Sequence, residues 1–274
     1  PGIINALSML IETVTAPGDG VIVMPPVYYP FDMTIVATNR KIVYCPLIET
    51  DGTYKIDYEL LEKKAKSSKN TAMLFSNPHN PVGRVWTAEE LKKTAEICCN
   101  NNVFIIDDEI HNDMIMPGYE HTEILNIKGY EDMLVAITAG SKTFNLAGCQ
   151  NSYVILPDEK LRAEYDAFMA DLRMGGGNAF GNVAVEAAFK GGREWLDEVL
   201  KIIHTNAKII EDTFAEKLPK AVVTPLEGTY LQWVDFGAYV KPEEMKAFID
   251  DEQFGKAVDL LATATRIGAA GCGH

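Results

Sequence analysis

The sequence predicts an α/β protein with a mostly parallel sheet sandwiched by helices, followed by a partial small α+β C-terminal domain. Short apolar segments alternate with segments of helical periodicity, a pattern typical of parallel sheets that are covered on both faces. The chain has 274 residues, of which 47% are hydrophobic, so it can form a large buried core. From about residue 158 long helical patterns dominate, which indicates a second region.

The first half of the chain contains the alternating elements. Apolar residues from Ile3 to Val14 recur at helical spacing, and the turn residues APGD end this helix. Thr87 and Glu90 have the spacing of a capping box, which predicts a helix from there to about residue 100. The predicted strands are VIVMPP, KIVYCPL, TAMLFS, VFIIDDEIH, MLVAITAGSKTFN and SYVIL, and DYELLEKKAK is a further predicted helix.

The second half is predicted to consist of helices 158–173, 178–190 and 193–217 and one strand. That strand is TYLQWVDF, whose hydrophobicity alternates as it does in a half-buried strand. We therefore expect a large domain over residues 1–190, and a connecting helix with a partial small domain over residues 191–274. The run from Gly175 to Gly177 is interpreted as a hinge, because it follows no strand and lacks the lysine of a phosphate-binding loop.

Composition excludes several classes of partner. The net charge of −14 argues against nucleic acid and anionic membranes, since both require basic patches. No apolar run is long enough to span a bilayer. Five cysteines without metal-ligand spacing indicate reduced thiols and a cytoplasmic location. The chain begins inside a helical pattern without an initiator Met, so we expect it to be part of a longer protein.

Polar residues follow the predicted strands at the edge where α/β sheets bind ligands, beyond the carboxyl ends of the strands. Lys142 follows an apolar strand in TAGSKTFN. Partial desolvation makes the amine of such a lysine a nucleophile toward carbonyl groups, including that of pyridoxal phosphate. A strand-end lysine that simply reaches solvent is the alternative.

Two acids, Asp107 and Asp108, end the preceding apolar strand. A buried acid requires a partner, and the protonated nitrogen of a pyridine ring is one such partner. A helix cap or a surface charge is the alternative interpretation. A metal site of Asp108, His111 and Asp113 is a third, but this spacing matches no metal-binding motif, and we expect no metal.

Proline-rich segments precede and separate these motifs. Tyr28 is held between prolines in PPVYYPF, where its ring can stack on a flat cofactor or take part in ordinary aromatic packing. Asn77 and Asn80 both precede prolines in SNPHNP, and a following proline disfavours helical geometry. We expect this rigid loop to present an asparagine amide to a ligand.

Taken together, these motifs resemble fold-type I pyridoxal-phosphate enzymes of the class I/II aminotransferase superfamily, and within it the MalY/PatB group of cystathionine β-lyases. The resembling segments are PPVYYPF, SNPHNPVGRVWTAEEL, DDEIHNDM, SKTFNLAG, WLDEVL and GTYLQWVDF. They occur in the family's order over nearly the whole chain. The resemblance implies the fold-type I architecture, pyridoxal 5'-phosphate as cofactor and a homodimeric full-length protein.

The resemblance also assigns roles by position. Lys142 matches the lysine that holds the cofactor covalently, and Asp108 matches the acid that pairs with the pyridine nitrogen. Asn80 matches the residue that donates a hydrogen bond to the phenolic oxygen. His111 stands where related transaminases carry a tyrosine near the same oxygen.

Three further positions complete the implied site. Tyr28 matches the ring that stacks on the pyridine, and Ser141 matches a ligand of the phosphate group. Arg266, in TRIGAAGC, resembles the C-terminal arginine that binds the substrate carboxylate, a task suited to a bidentate guanidinium. The phosphate-binding turn is expected at or just before Pro1 and Gly2, at a helix N-terminus.

The implied activity is β-elimination from a small amino acid, cystathionine or a similar cysteine thioether, by a carbon–sulfur lyase. Two alternatives stay open at this point. One is an aminotransferase on the same scaffold, and the other is a non-catalytic protein that regulates through protein contacts.

Overall fold

A computed structural model describes residues 2–174 and 177–241 of the chain. The chain divides into two compact units, of which the first comprises residues 1–211 and 224–233. The second comprises residues 212–223 and 234–274, and it is described as far as residue 241. The domain boundary expected at residue 191 stays a prediction.

The first unit is built around one six-stranded sheet. In chain order its strands are β1 (Gly20–Val23), β2 (Lys41–Tyr44), β3 (Ile48–Thr50), β4 (Thr53–Lys55), β5 (Asn70–Ser76), β6 (Phe104–Asp108), β7 (Leu134–Thr138) and β8 (Tyr153–Ile155). The sheet has the order β2-β1-β5-β6-β7-β8, while β3 and β4 form a separate antiparallel hairpin. Only β8 runs antiparallel to its neighbour, which confirms the predicted mostly parallel sheet.

Helices connect and cover the strands. In chain order they are α1 (Ile3–Val14), α2 (Pro30–Ala37), α3 (Tyr58–Ala65), α4 (Ala88–Cys99), α5 (Gly140–Thr143), α6 (Glu159–Asp171), α7 (Ala179–Gly191) and α8 (Arg193–Lys217). Both reciprocal hydrogen bonds of the capping box predicted at Thr87 and Glu90 are present at the start of α4. The short helices α2 and α5 were not predicted.

The sheet separates two hydrophobic cores, because successive residues of a strand point to opposite faces. Val21 and Leu74 pack with α1 on one face, whereas Ile22 and Met73 belong to the core of the other face. That second core contains the fully buried Trp86. The central strands are therefore apolar on both sides, and polar side chains are concentrated at their ends.

Of the strand predicted over TYLQWVDF, only Val234–Asp235 is observed. Thr229 has a left-handed backbone, with φ of 72°, and its amide donates to the carbonyl of Met114 at 2.8 Å. A residue in this conformation cannot continue an extended strand. In the second unit, β9 (Val222–Val223) and β10 (Val234–Asp235) form a short antiparallel pair.

Within the described ranges, 2–174 and 177–241, no helix is both long enough and apolar enough to cross a bilayer. Gly177 has a positive φ of 61° and precedes the N-cap of α7. The other two glycines of the predicted hinge lie outside the described residues.

Candidate active site

Two adjoining cavities of the first unit bring the predicted site residues together, and we call the pair the cleft. The first cavity holds about 370 Å³ of empty space, part of it open to solvent, and the second shares Tyr28 and Lys142 with it. The predicted residues that line the cleft are Tyr28, Asn80, Asp108, His111, Ser141 and Lys142. Arg266 lies outside the described residues.

Asp108 is the acid of the cleft. It is the last residue of β6, is 5% exposed, and accepts a hydrogen bond from the amide of Ile110 at 3.2 Å. Burial raises the pKa of its carboxyl to about 7, and the nearby Glu109 adds to this, while the Ile110 amide and the charge of Lys142 oppose it. A cationic ligand next to this carboxyl would stabilise its ionised form.

Asp107 points away from the cleft, into a buried polar cluster that the sequence analysis missed. Its carboxyl accepts a hydrogen bond from the Asn77 amide at 3.1 Å, and the same amide also donates to the carbonyl of Thr122. Glu109 lies beside it and accepts from the Ile124 amide. Burial and the neighbouring Glu109 raise the pKa of Asp107.

The suggestion that Asp107 is a helix cap or a surface charge is therefore wrong. Because side chains alternate along a strand, the two adjacent acids at the end of β6 had to face opposite sides of the sheet. This alternation was the available signal that only one of them can enter the cleft. Asn77 is engaged in the same cluster, so it is the second asparagine of the loop that reaches the cleft.

Lys142 lies on α5, a four-residue helix that follows β7, rather than on the strand itself. Its positive charge favours the ionised form of Asp108 and disfavours the protonated form of His111. The amine of Lys142 therefore lies within electrostatic range of both side chains. Together these three residues give the cleft an amine, an acid and an imidazole.

His111 is an imidazole held in its neutral form. It is 2% exposed, and neither ring nitrogen has a hydrogen-bond partner among the described residues. Burial, with a smaller effect of Lys142, lowers its pKa to about 3. A buried polar ring without a partner is costly, so a ligand that pairs with it would be favoured here.

Asn80 reaches the cleft from an anchored loop. Its backbone amide donates to the Ser76 hydroxyl at 3.2 Å, and that hydroxyl donates to the Pro78 carbonyl. The indole of Trp86 donates to the Ser76 carbonyl at 2.9 Å. These bonds hold the loop at the end of β5, as expected of the proline-rich segment.

The remaining sides of the cleft carry an aromatic ring and a potential anion site. Tyr28 is half-buried, and its ring lies edge-on to Phe31 with centroids 5.9 Å apart. Ser141 lines the second cavity together with Gly2, the N-cap residue of α1. Free N–H groups at the start of a 12-residue helix favour an anion, and no side chain caps them here.

Residues 1–267 match the family described as Aminotransferase class I and II. The chain is 39% identical over 274 residues to cystathionine beta-lyase PatB of Bacillus subtilis, across 100% of this chain and 70% of that protein. Cystalysin from Treponema denticola, whose crystal structure contains pyridoxal 5'-phosphate, superposes with a TM-score of 0.86 at 41% identity. The pyridoxal-phosphate-bound C–S lyase from Staphylococcus hominis does so with a TM-score of 0.84 at 32% identity.

The alignments cover 90% of this chain, 64% of cystalysin and 63% of the Staphylococcus hominis lyase. The chain therefore spans about two thirds of the length of these proteins. The match in sequence and in backbone structure confirms the predicted family and fold. The chain belongs to the class I and II aminotransferase family, with the fold of the type I pyridoxal-phosphate enzymes.

Proposed function

We propose that the protein is a pyridoxal-phosphate-dependent carbon–sulfur β-lyase. It would cleave cystathionine or a related cysteine thioether to a thiol, pyruvate and ammonia. One observation carries the proposal: Lys142, Asp108 and Asn80 come from separate strand ends and meet in one cleft. They do so in a chain that is 39% identical to a cystathionine beta-lyase.

The residues of the cleft fit this cofactor. The buried Asp108 has its pKa raised to about 7, so a protonated pyridine nitrogen would supply the cation that its ionised form lacks. Asn80 and the unpartnered imidazole of His111 are suited to hydrogen-bond a phenolic oxygen. Ser141 and the N-terminus of α1 would hold the phosphate, and Tyr28 would cover the ring.

Lys142 has two tasks in the proposed reaction. Bound pyridoxal phosphate supplies an aldehyde carbon that reacts with amines and a ring that withdraws electrons from the substrate's α carbon. Lys142 would hold that carbon through Nζ, and its free amine would remove the α proton of the substrate. The carbon–sulfur bond would then break with its electron pair leaving on the thiolate, and water would hydrolyse the remaining three-carbon fragment to pyruvate and ammonia.

Asp108 and His111 act through charge. Asp108 in its ionised form would hold a protonated ring nitrogen, and the ring would then withdraw electrons more strongly. His111 in its neutral form can accept or donate one hydrogen bond without adding a second positive charge beside Lys142.

Three further parts of the proposal come from the family resemblance. Arg266 would bind the substrate carboxylate, the full-length protein would form a homodimer, and the protein would act in the cytoplasm. An amino acid is the substrate class that suits a cleft with this set of groups.

Turnover of L-cystathionine without added keto acid tests the proposal. A lyase releases thiol, pyruvate and ammonia over many turnovers, and we expect this result. Aminotransfer is the second candidate function, because the family that matches residues 1–267 is an aminotransferase family. An aminotransferase would stop after one turnover per site and resume with 2-oxoglutarate, and that outcome would replace the lyase assignment.

Lys142 is tested separately by borohydride reduction followed by peptide mapping. The pyridoxyl mass is expected on the peptide that contains Lys142 and is expected to be absent in Lys142→Ala. Label on another lysine, or sustained turnover by Lys142→Ala, would mean that the catalytic lysine is elsewhere.

A further inference from the structure

The segment from Glu227 to Tyr230 is clamped against the loop that carries Asn80. The carboxylate of Glu227 accepts hydrogen bonds from the Arg84 guanidinium and from the Val85 amide, both at 2.8 Å. The amides of Glu227 and Gly228 both donate to the Gly83 carbonyl, at 3.0 and 2.9 Å. Arg84 is 8% exposed, so this ion pair is shielded from solvent and fixes the segment's position.

Thr229 turns the chain sharply within this clamped segment. It is fully buried with φ of 72°, a conformation that is rare and costly for a β-branched residue. Its amide donates to the Met114 carbonyl at 2.8 Å, and its hydroxyl accepts from the Leu231 amide. Such conformations persist where surrounding contacts enforce them, and they cluster at functional sites.

The turn places Tyr230 next to the cleft, against His111, which lines it. Its ring lies 5.3 Å from that of His111, centroid to centroid, at an interplanar angle of 66°. Its hydroxyl also interacts electrostatically with that of Tyr28, which lines the cleft. His111 is buried, whereas Tyr230 is 43% exposed, so Tyr230 lies further toward solvent than the imidazole.

We propose that Tyr230 is a specificity-determining residue. It would contact the thioether side chain of the bound substrate where that side chain extends out of the cleft. This inference rests on the proposed lyase function. An aromatic ring makes favourable contacts with a thioether sulfur, and it also offers an apolar face to the carbon chain beyond. The clamp and the turn position this ring before substrate binds, which reduces the entropy lost on binding.

The test compares two substrates of the same elimination reaction. L-cystathionine loses a thiolate, whereas β-chloro-L-alanine loses chloride and has no thioether. In Tyr230→Ala we expect kcat/KM to fall about tenfold for L-cystathionine and to change less than about twofold for β-chloro-L-alanine. Tyr230→Phe keeps the ring and is expected to retain the wild-type ratio of the two values.

Tyr153→Ala is the matched control. Tyr153 is 42% exposed, like Tyr230, but it lies on the edge strand β8, whereas Tyr230 packs against His111 of the cleft. In Tyr153→Ala, the ratio of kcat/KM for L-cystathionine to kcat/KM for β-chloro-L-alanine is expected to equal that of the wild type. Circular dichroism and cofactor absorbance establish that each variant folds and binds pyridoxal phosphate.

A second measurement does not depend on turnover. L-methionine carries a thioether but no β leaving group, so its dissociation constant can be read from the change in cofactor absorbance. We expect that constant to rise about tenfold in Tyr230→Ala, and that of L-alanine to stay unchanged. If Tyr230→Ala weakens the binding of L-methionine and L-alanine equally, or weakens the binding of neither, the inference is overturned.

Failure of the proposed function has a different signature. In that case the wild-type protein eliminates neither substrate, or binds no pyridoxal phosphate, and the role of Tyr230 falls with it. A wild type that eliminates both substrates, together with a Tyr230→Ala variant of unchanged ratio, would remove the inference alone.

Discussion

Asp108 and Asp107 are adjacent in sequence, yet burial gives them different surroundings. The cleft leaves Asp108 open to a ligand, while Asp107 is paired with Asn77 behind it. Both carboxyls have raised pKa values because both are removed from water. What distinguishes the two acids is therefore the partner available to each, and for Asp108 that partner must come from a ligand.

Asp108→Asn is expected to weaken pyridoxal-phosphate binding, because the amide cannot pair with a protonated ring nitrogen as a carboxylate does. Loss of a hydrogen bond to a charged group predicts a rise in the dissociation constant of about 10- to 100-fold. A fluorescence titration with the cofactor measures it. Asp32→Asn, on helix α2, is the control variant. If Asp108→Asn and Asp32→Asn bind pyridoxal phosphate with equal affinity, the prediction is contradicted.

Because His79 is buried in its neutral form, we expect the unfolding free energy of the protein to fall at acid pH. His79 is fully buried, its Nε2 pairs with the Pro26 carbonyl at 2.9 Å, and burial lowers its pKa to about 4. In the unfolded chain the pKa is about 6.5, so the unfolded state binds the extra proton as pH falls between these values. The stability contributed by neutral His79 is therefore complete above about pH 6.5 and lost progressively toward pH 4.

His79→Gln keeps a donor for Pro26 but cannot titrate, so its unfolding free energy should fall less between pH 7 and pH 4.5. The difference from wild type should be on the order of 2 kcal/mol. Urea unfolding at the two pH values measures it. The exposed His204→Gln on α8 should behave like wild type, and an identical response of all three proteins would disprove the role of His79.

The N-terminus of helix α4 could be predicted from the sequence alone. The spacing of Thr87 and Glu90 was sufficient, because a capping box is made of residues three apart. α2 was missed because it is short and lacks a side-chain cap. The strand predicted over TYLQWVDF failed because Thr229 is held by Met114, a contact that no local pattern records.

Thr87→Ala is expected to lower the unfolding free energy by about 1 kcal/mol, since the amide of Glu90 loses its acceptor at the start of α4. Thr87→Ser keeps the hydroxyl and should retain most of the stability. Urea unfolding of the three proteins gives the comparison. Equal losses in both variants would assign the effect to something other than the cap.

For the molecule as a whole, the family resemblance predicts a homodimer, and exposed apolar residues on α7 are consistent with association. Phe180 is 86% exposed and Val183 69% exposed. Exposed apolar groups of this size often mark contact surfaces. Sedimentation equilibrium should give the mass of a dimer for the full-length protein and a shift toward the monomer for its Phe180→Ser variant. A wild type that is monomeric at all concentrations would contradict the prediction.

Most of the candidate site could be predicted from the sequence because the carboxyl ends of parallel strands lie at the same edge of the sheet. Lys142, Asp108 and Asn80 could be placed together from that rule and from the family motifs. The rest depends on contacts between distant segments, such as Arg84 with Glu227, which are 143 positions apart. Neither the clamp nor the position of Tyr230 has a local sequence signal, so both required the structure.

The assembly of the cleft from separate strand ends also links ligand binding to folding. Tyr28, Asn80 and Lys142 are neighbours only when β1, β5 and β7 are in register within one sheet, so the unfolded chain contains no partial version of the site. A ligand of the cleft therefore acts by mass action on the folded population alone. At a free concentration 100 times its dissociation constant it would add about 2.7 kcal/mol to the unfolding free energy. In a cell, the supply of pyridoxal phosphate would then influence the abundance of the folded protein as well as its reaction rate.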